Sequence, residues 1–324
     1  MDLCGIGTKL GTSEHNTRWQ PLRVEAVAVT QRSAAFRTTL KTAVALGRVS
    51  NLPTVWTNVV AAFVLSGAQL EPRAIVVGCL ALSLFYTGGM YLNDAFDREI
   101  DARERPERPI PSGRVSARTV FIAGFAQLAL GVTLVALMAL LVHDASLHLA
   151  LLPALGLAGL IVLYDMFHKH NPLSPLLMGL CRVGVYVTVA LASVGHASSK
   201  VWIGALVLLA YLIGLTYVAK QERWARVRNW WPLIFLGAPF VHAVWVGSSE
   251  ALPWGFVMLL FLVVLRSLML LRARRIPNAV VTFIAGIALV DASLIALTGR
   301  YWWALGSVAA FAFTLTLQRW VRGT

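Results

Sequence analysis

Apolar residues in this chain gather into ten long runs separated by short polar connections, at about 46–66, 74–93, 119–141, 148–167, 175–195, 201–219, 231–247, 254–271, 279–298 and 301–318. A helix rises about 1.5 Å per residue, so roughly 17–25 residues cross the hydrocarbon of a bilayer. Most of the runs meet that length; 231–247 and 301–318 are the least secure. The pattern predicts an all-α fold, a polytopic transmembrane helical bundle of nine or ten spans. Residues 1–45 are polar and hold no apolar core of signal-peptide length, so they read as an N-terminal tail ahead of a transmembrane domain over 46–320.

Composition agrees with the pattern. The 324 residues are 58% hydrophobic and only 13% charged, with mean hydropathy +0.71, well outside soluble norms. Charge then sets the orientation. Of the 28 Lys and Arg, 23 fall in alternate connections, beginning with the N-terminal tail and the 97–118 loop. Positive residues stay inside, so these segments are predicted to be cytoplasmic, in a bacterial inner membrane. The net charge of +13 is a topology signal that also attracts anionic membrane lipid. It forms no continuous patch, and no nucleic-acid partner is expected.

Several chemistries are missing from the chain. It contains no P-loop, GxSxG, HExxH or Gly-rich dinucleotide fingerprint. Cys4, Cys79 and Cys181 have no metal-ligand spacing and read as small hydrophobes. A CDP-alcohol phosphatidyltransferase would carry a D-G-x-x-A-R element, which is absent.

The most informative stretch is Asn93-Asp94-Ala95-Phe96-Asp97-Arg98-Glu99-Ile100-Asp101, at the end of the second run. On a helix turning about 100° per residue, Asn93, Asp97 and Asp101 fall near 0°, 40° and 80°, and Asp94 near 100°. Four hard oxygen donors thus share one arc at the membrane boundary. Three carboxylates so placed repel one another unless a cation lies between them. Mg²⁺ suits them, because it takes oxygen ligands and is usually completed by substrate phosphates. The basic residues that follow (Arg98, Arg103, Arg105, Arg108 and Arg114) are placed to grip an anion brought in by the metal.

The NDxxDxxxD pattern, followed by a loop reading ERPERPIPSGRVS, resembles the UbiA superfamily of intramembrane aromatic prenyltransferases. The wording NDAFDREIDARERPERPIPSG is similar to its EboC-like subgroup. The resemblance implies a helical bundle around a central cavity open to lipid. It also implies Mg²⁺-dependent transfer of a prenyl group from a prenyl diphosphate to a small lipophilic acceptor, aromatic or not. Asn93, Asp97 and Asp101 match the first motif's Mg²⁺-diphosphate ligands, and Asp94 its neighbouring acid. Tyr164-Asp165-Met166-Phe167-His168-Lys169 looks like the family's Tyr-x-x-x-Lys-Arg element, with Lys169 either a phosphate contact or an anchor for a short loop. Asp165 reads as a helix-end acid.

The second acidic motif departs from the family pattern. In Gly214-Leu215-Thr216-Tyr217-Val218-Ala219-Lys220-Gln221-Glu222-Arg223, Tyr217 is kept, Gly214 and Gln221 replace acids, and Glu222 is displaced by one position. A second full Mg²⁺ site is therefore not expected. Lys220 either supplies a fixed charge in place of a metal, or the loss signals altered chemistry. The alternative function is a non-catalytic homologue that binds or moves a polyprenyl or lipid-like metabolite. Charges inside spans are costly and usually functional. Arg182 is expected to face the polar cavity as a diphosphate or acceptor contact, Arg266 to snorkel, and Asp291 to be structural. The Trp230-Trp231 and Trp302-Trp303 pairs read as interfacial belts.

Overall fold

The computed structural model describes residues 39–142, 147–169, 171–221 and 229–320. The chain divides into two compact units, Met1–Ala43 and Val44–Thr324. Of the first unit only residues 39–43 are described, and they are helical. Cys4, His143, His170, Glu222 and Arg223 lie outside the described residues.

Among the described residues of the second unit the structure is helical throughout. A short 3₁₀ turn (Val49–Asn51) leads into α1 (Leu52–Ser66), followed by α2 (Pro72–Phe96), α3 (Arg98–Glu104) and α4 (Ala117–Leu141). Then come α5 (Leu147–Phe167), α6 (Ser174–Val194), α7 (Ser199–Lys220), a 3₁₀ segment (Trp231–Gly237) and α8 (Ala238–Val246). The chain ends with α9 (Ala251–Arg272), α10 (Ile276–Ala296) and α11 (Tyr301–Leu317). Eight of these helices are long and apolar enough to cross a membrane, and the protein is an integral membrane protein.

The two shortest apolar runs are the two that fall below full span length. The first combines the 3₁₀ segment with α8, where Pro232 and Pro239 remove backbone donors near each start. A 3₁₀ helix rises about 2.0 Å per residue against 1.5 Å in an α-helix, so this composite reaches about 28 Å. The second, α11, reaches about 26 Å. Both lengths approach the hydrocarbon thickness of about 30 Å.

Burial ranks the helices. Within its apolar window α10 is 83% buried and α5 only 17%, which makes α10 a central helix and α5 a rim helix. The pairing that matters for the site is α2 against α4. Small residues line it, and a Cβ built on Gly88 would come within 2.9 Å of the Gly124 carbonyl oxygen. One on Gly131 would lie 2.9 Å from the Phe85 ring. Without a hydrophobic force between helices in lipid, close backbone approach of this kind is what packing uses. It fixes the end of α2, where the acidic stretch begins.

Candidate functional site

The acidic stretch keeps its helical phase across a break. Asp97 separates α2 from α3, yet its N–H donates to the Asn93 carbonyl at 3.0 Å and its own carbonyl accepts from Asp101 at 2.9 Å. Asn93, Asp97 and Asp101 therefore stay on successive turns of one face. All are nearly buried: Asn93 is 7% exposed, Asp94 6%, Asp97 4% and Asp101 2%. Carboxylates this enclosed need partners, and each has one.

Arg108 Nη1 donates to Asp101 Oδ2 at 2.6 Å and to Asp94 Oδ1 at 3.2 Å. The loop that carries Arg108 is held by its own sequence. Ile110 and Val115 pack onto Leu46, Ala95 and Val120, and Gly113 takes the left-handed conformation (φ 74°) that closes the turn. Arg48 reaches Asp94 Oδ1 from the other side, Nη2 donating at 3.1 Å. Its backbone is left-handed at φ 43°, a conformation costly for a non-glycine residue. Burial disfavours the Arg48 cation, but the charge and hydrogen bond of Asp94 together with Tyr86 and Tyr164 outweigh it and raise its pKa. Asp97 Oδ2 lies 3.1 Å from Lys169 Nζ and 3.3 Å from His168 Nε2. Burial pushes the Asp97 carboxyl up, while the His168 hydrogen bond and the charges of His168 and Lys169 outweigh it. Asp97 is held below the usual carboxylate range.

Two participants were not read from the sequence as parts of this cluster. Arg48 counted only as a basic residue of the tail. Asp165, read as a helix-end acid, is 2% exposed and accepts from Asn93 Nδ2 at 3.1 Å. The only sequence signal for Asp165 was its place next to Tyr164, whose ring stacks on His168 at 5.1 Å.

Other expected site residues lie apart. Arg98 turns outward to Glu99 and the Ala95 carbonyl. Lys220, at the end of α7, donates to the Asn171 carbonyl at 2.8 Å and so ties α7 to the connection after Lys169. Tyr217 is half-buried one turn earlier, and Gly214 packs against Leu236. Arg182 sits in a separate polar network inside the bundle. Its Nη1 donates to Asn58 Oδ1 at 2.6 Å, its Nη2 to Thr54 Oγ1 at 3.3 Å, and its guanidinium lies 5.7 Å from the Tyr86 ring centre. Asn58 Nδ2 in turn donates to Asp291 Oδ2 at 2.7 Å, and the Tyr186 hydroxyl donates to Asp291 Oδ1. The network joins α1, α6 and α10.

The donors at the acidic face are the hard oxygens that Mg²⁺ takes. Among the described residues no three His, Cys, Asp or Glu side chains converge as a ready-made metal site. The carboxylates are instead held by the chain's own cations. The arrangement amounts to a charge-balanced anion-and-cation site at one end of an apolar bundle.

The UbiA prenyltransferase family matches residues 50–228, a stretch that includes every residue of the cluster except Arg48. The chain belongs to this family. One relative is digeranylgeranylglyceryl phosphate synthase of Methanopyrus kandleri, 33% identical over 168 residues, covering 52% of this chain and 59% of the relative. Another is protoheme IX farnesyltransferase of Alkalihalophilus pseudofirmus, 32% identical over 126 residues and 38% of each chain. The chain thus spans less than two thirds of the length of these family members. A solved structure, the apo form of a UbiA homologue from Aeropyrum pernix K1, covers 84% of this chain and 98% of its own at 18% identity and a TM-score of 0.48.

Proposed function

We propose that residues 46–320 form an intramembrane prenyltransferase that moves a prenyl group from a prenyl diphosphate to a small lipophilic acceptor. The observation that carries this reading is the buried lattice of Asp94, Asp97 and Asp101 with Arg48, Arg108, His168 and Lys169. Such a lattice suits a ligand that brings both charges. In this reading the acids exchange their cationic partners for Mg²⁺, held by Asn93, Asp97 and Asp101 with Asp94 beside them. Arg108 and Lys169, released from the carboxylates, then take phosphate oxygens, and Arg108 offers the planar fork that matches them. Mg²⁺ when bound supplies charge that stabilises the departing diphosphate.

The bond between the first prenyl carbon and the diphosphate oxygen breaks, and the allylic carbon is attacked by the acceptor, which loses a proton. Apolar walls of the bundle exclude water, which would otherwise capture the allylic cation. The face lies on the cytoplasmic side, where the basic connections gather. Lys220, which holds the connection after Lys169, positions that basic pair. Arg98 contributes surface charge that draws in the anion.

A second reading has one observation in its favour. The described end of α7 carries Gly214 and Gln221 and no carboxylate, as would suit a protein that holds a polyprenyl lipid without transferring it. Mass spectrometry of lipids from cells with and without the protein separates the two. Transfer predicts a species heavier than its acceptor by a whole number of isoprene units, lost with the protein. An unchanged lipid profile would favour binding alone.

A further inference from the structure

One acid at this end of the bundle has no role in the reaction described above, and it is the least satisfied. Asp165 lies near the end of α5 and is 2% exposed. Its Oδ1 accepts from Asn93 Nδ2, but its Oδ2 is buried and has no hydrogen-bond partner among the described residues. Neither protonation state mends this. An ionised Oδ2 lacks a donor, and a protonated one lacks an acceptor. Leaving a buried polar atom unmatched is costly, so a group outside the chain is the natural partner.

The charges around it indicate what that group is. Asp97 and Asp94 are within electrostatic reach, as is Arg48. Yet Arg48 is bonded to Asp94, Arg108 to Asp94 and Asp101, and His168 and Lys169 to Asp97. Three cations and His168 are thus committed to other carboxylates, and Asp165 forms no ion pair among the described residues. None of them reaches Asp165 Oδ2.

Its placement is also well determined. His168 Nδ1 lies 3.2 Å from the Asp165 carbonyl oxygen while its Nε2 faces Asp97, so one ring links the backbone of α5 to the acidic face. Because a carboxylate oxygen facing an amide accepts from its nitrogen, the contact to Asn93 also fixes that amide. It is the Asn93 nitrogen that faces Asp165.

We propose that Asp165 is a further ligand of the divalent cation at this site. Its unpartnered Oδ2 would be the donor that α5 adds to those of α2 and α3, while its Oδ1 holds the Asn93 amide by its nitrogen. The inference rests on the functional reading given above. It converts a face on one helix into a site closed from two sides.

Mn²⁺ binding tests it without reference to turnover. The purified full-length protein, with and without inorganic pyrophosphate, is titrated with Mn²⁺, and free ion is counted by electron paramagnetic resonance. Asp165→Asn keeps the size of the side chain and an acceptor for Asn93. It is expected to weaken Mn²⁺ binding on the order of 10- to 100-fold, the range seen when a metal site loses a supporting carboxylate. It is also expected to shrink the Mn²⁺-induced rise in melting temperature. Wild-type affinity in Asp165→Asn, with binding lost in Asp97→Ala, would overturn the role of Asp165 and leave the functional reading standing. A lowered melting temperature with the Mn²⁺-induced rise intact would make Asp165 purely structural and overturn the proposal as well. No Mn²⁺ binding by the wild type, even with pyrophosphate, would overturn both.

Discussion

Asp97→Ala is expected to lower prenyl-transfer turnover by at least about two orders of magnitude, the usual consequence of removing one strong electrostatic contact to a transition state. Asp97 is the hinge of the charge lattice. It sits between α2 and α3, faces His168 and Lys169 from α5 and the residues after it, and is held ionised by them. Its loss removes an oxygen donor from the middle of the acidic face and leaves two cationic groups without their carboxylate. Steady-state rates at saturating prenyl diphosphate, with folding checked by gel filtration, measure the effect. Near-wild-type transfer would remove Asp97 from the reaction.

The second large effect is on stability rather than chemistry. Asp291→Ala is expected to destabilise the bundle by about 1–3 kcal/mol for each of the two buried donors it strands. Asp291 is fully buried and accepts hydrogen bonds at both oxygens, from Tyr186 and Asn58, as an ionised carboxylate does. Asn58 relays it to Arg182, with no direct Arg182–Asp291 contact among the described residues. Removing the acid leaves a guanidinium without counter-charge deep in an apolar bundle and strands two donors. Pairing Asp291→Leu with Arg182→Met should recover part of the loss, because apolar replacement of both partners of a buried pair is often near neutral. Melting in detergent gives both quantities. Strict additivity of the two single substitutions would mean that the residues are not coupled.

The membrane architecture was readable because bilayer thickness imposes a length on every crossing. The observed helices begin and end within a few residues of the apolar runs. The run at 231–247 was less readable: part of it is 3₁₀ helix, whose greater rise brings a short segment close to the length of a span. Periodicity also placed Asn93, Asp97 and Asp101 together, since the helical phase survives the break at Asp97. What periodicity cannot supply is a partner distant in sequence. Arg48 meets Asp94 across 46 positions, through a left-handed backbone that nothing local announces. Asp165 is separated from Asn93 by 72 positions, and its burial follows from how α5 packs, so a helix-end acid and a site residue look alike in sequence. Arg182 was read as a cavity contact for diphosphate or acceptor, whereas the groups it bonds lie on α1 and, through Asn58, lead to α10.

Pyrophosphate release by the purified protein tests the central claim most directly. The protein in lipid vesicles is offered allylic diphosphates of several lengths with Mg²⁺ and a panel of lipophilic acceptors. Transfer predicts pyrophosphate release in step with prenylated acceptor, dependent on Mg²⁺ and abolished in Asp97→Ala. Tight binding of the diphosphates with no pyrophosphate released across the whole panel would contradict it.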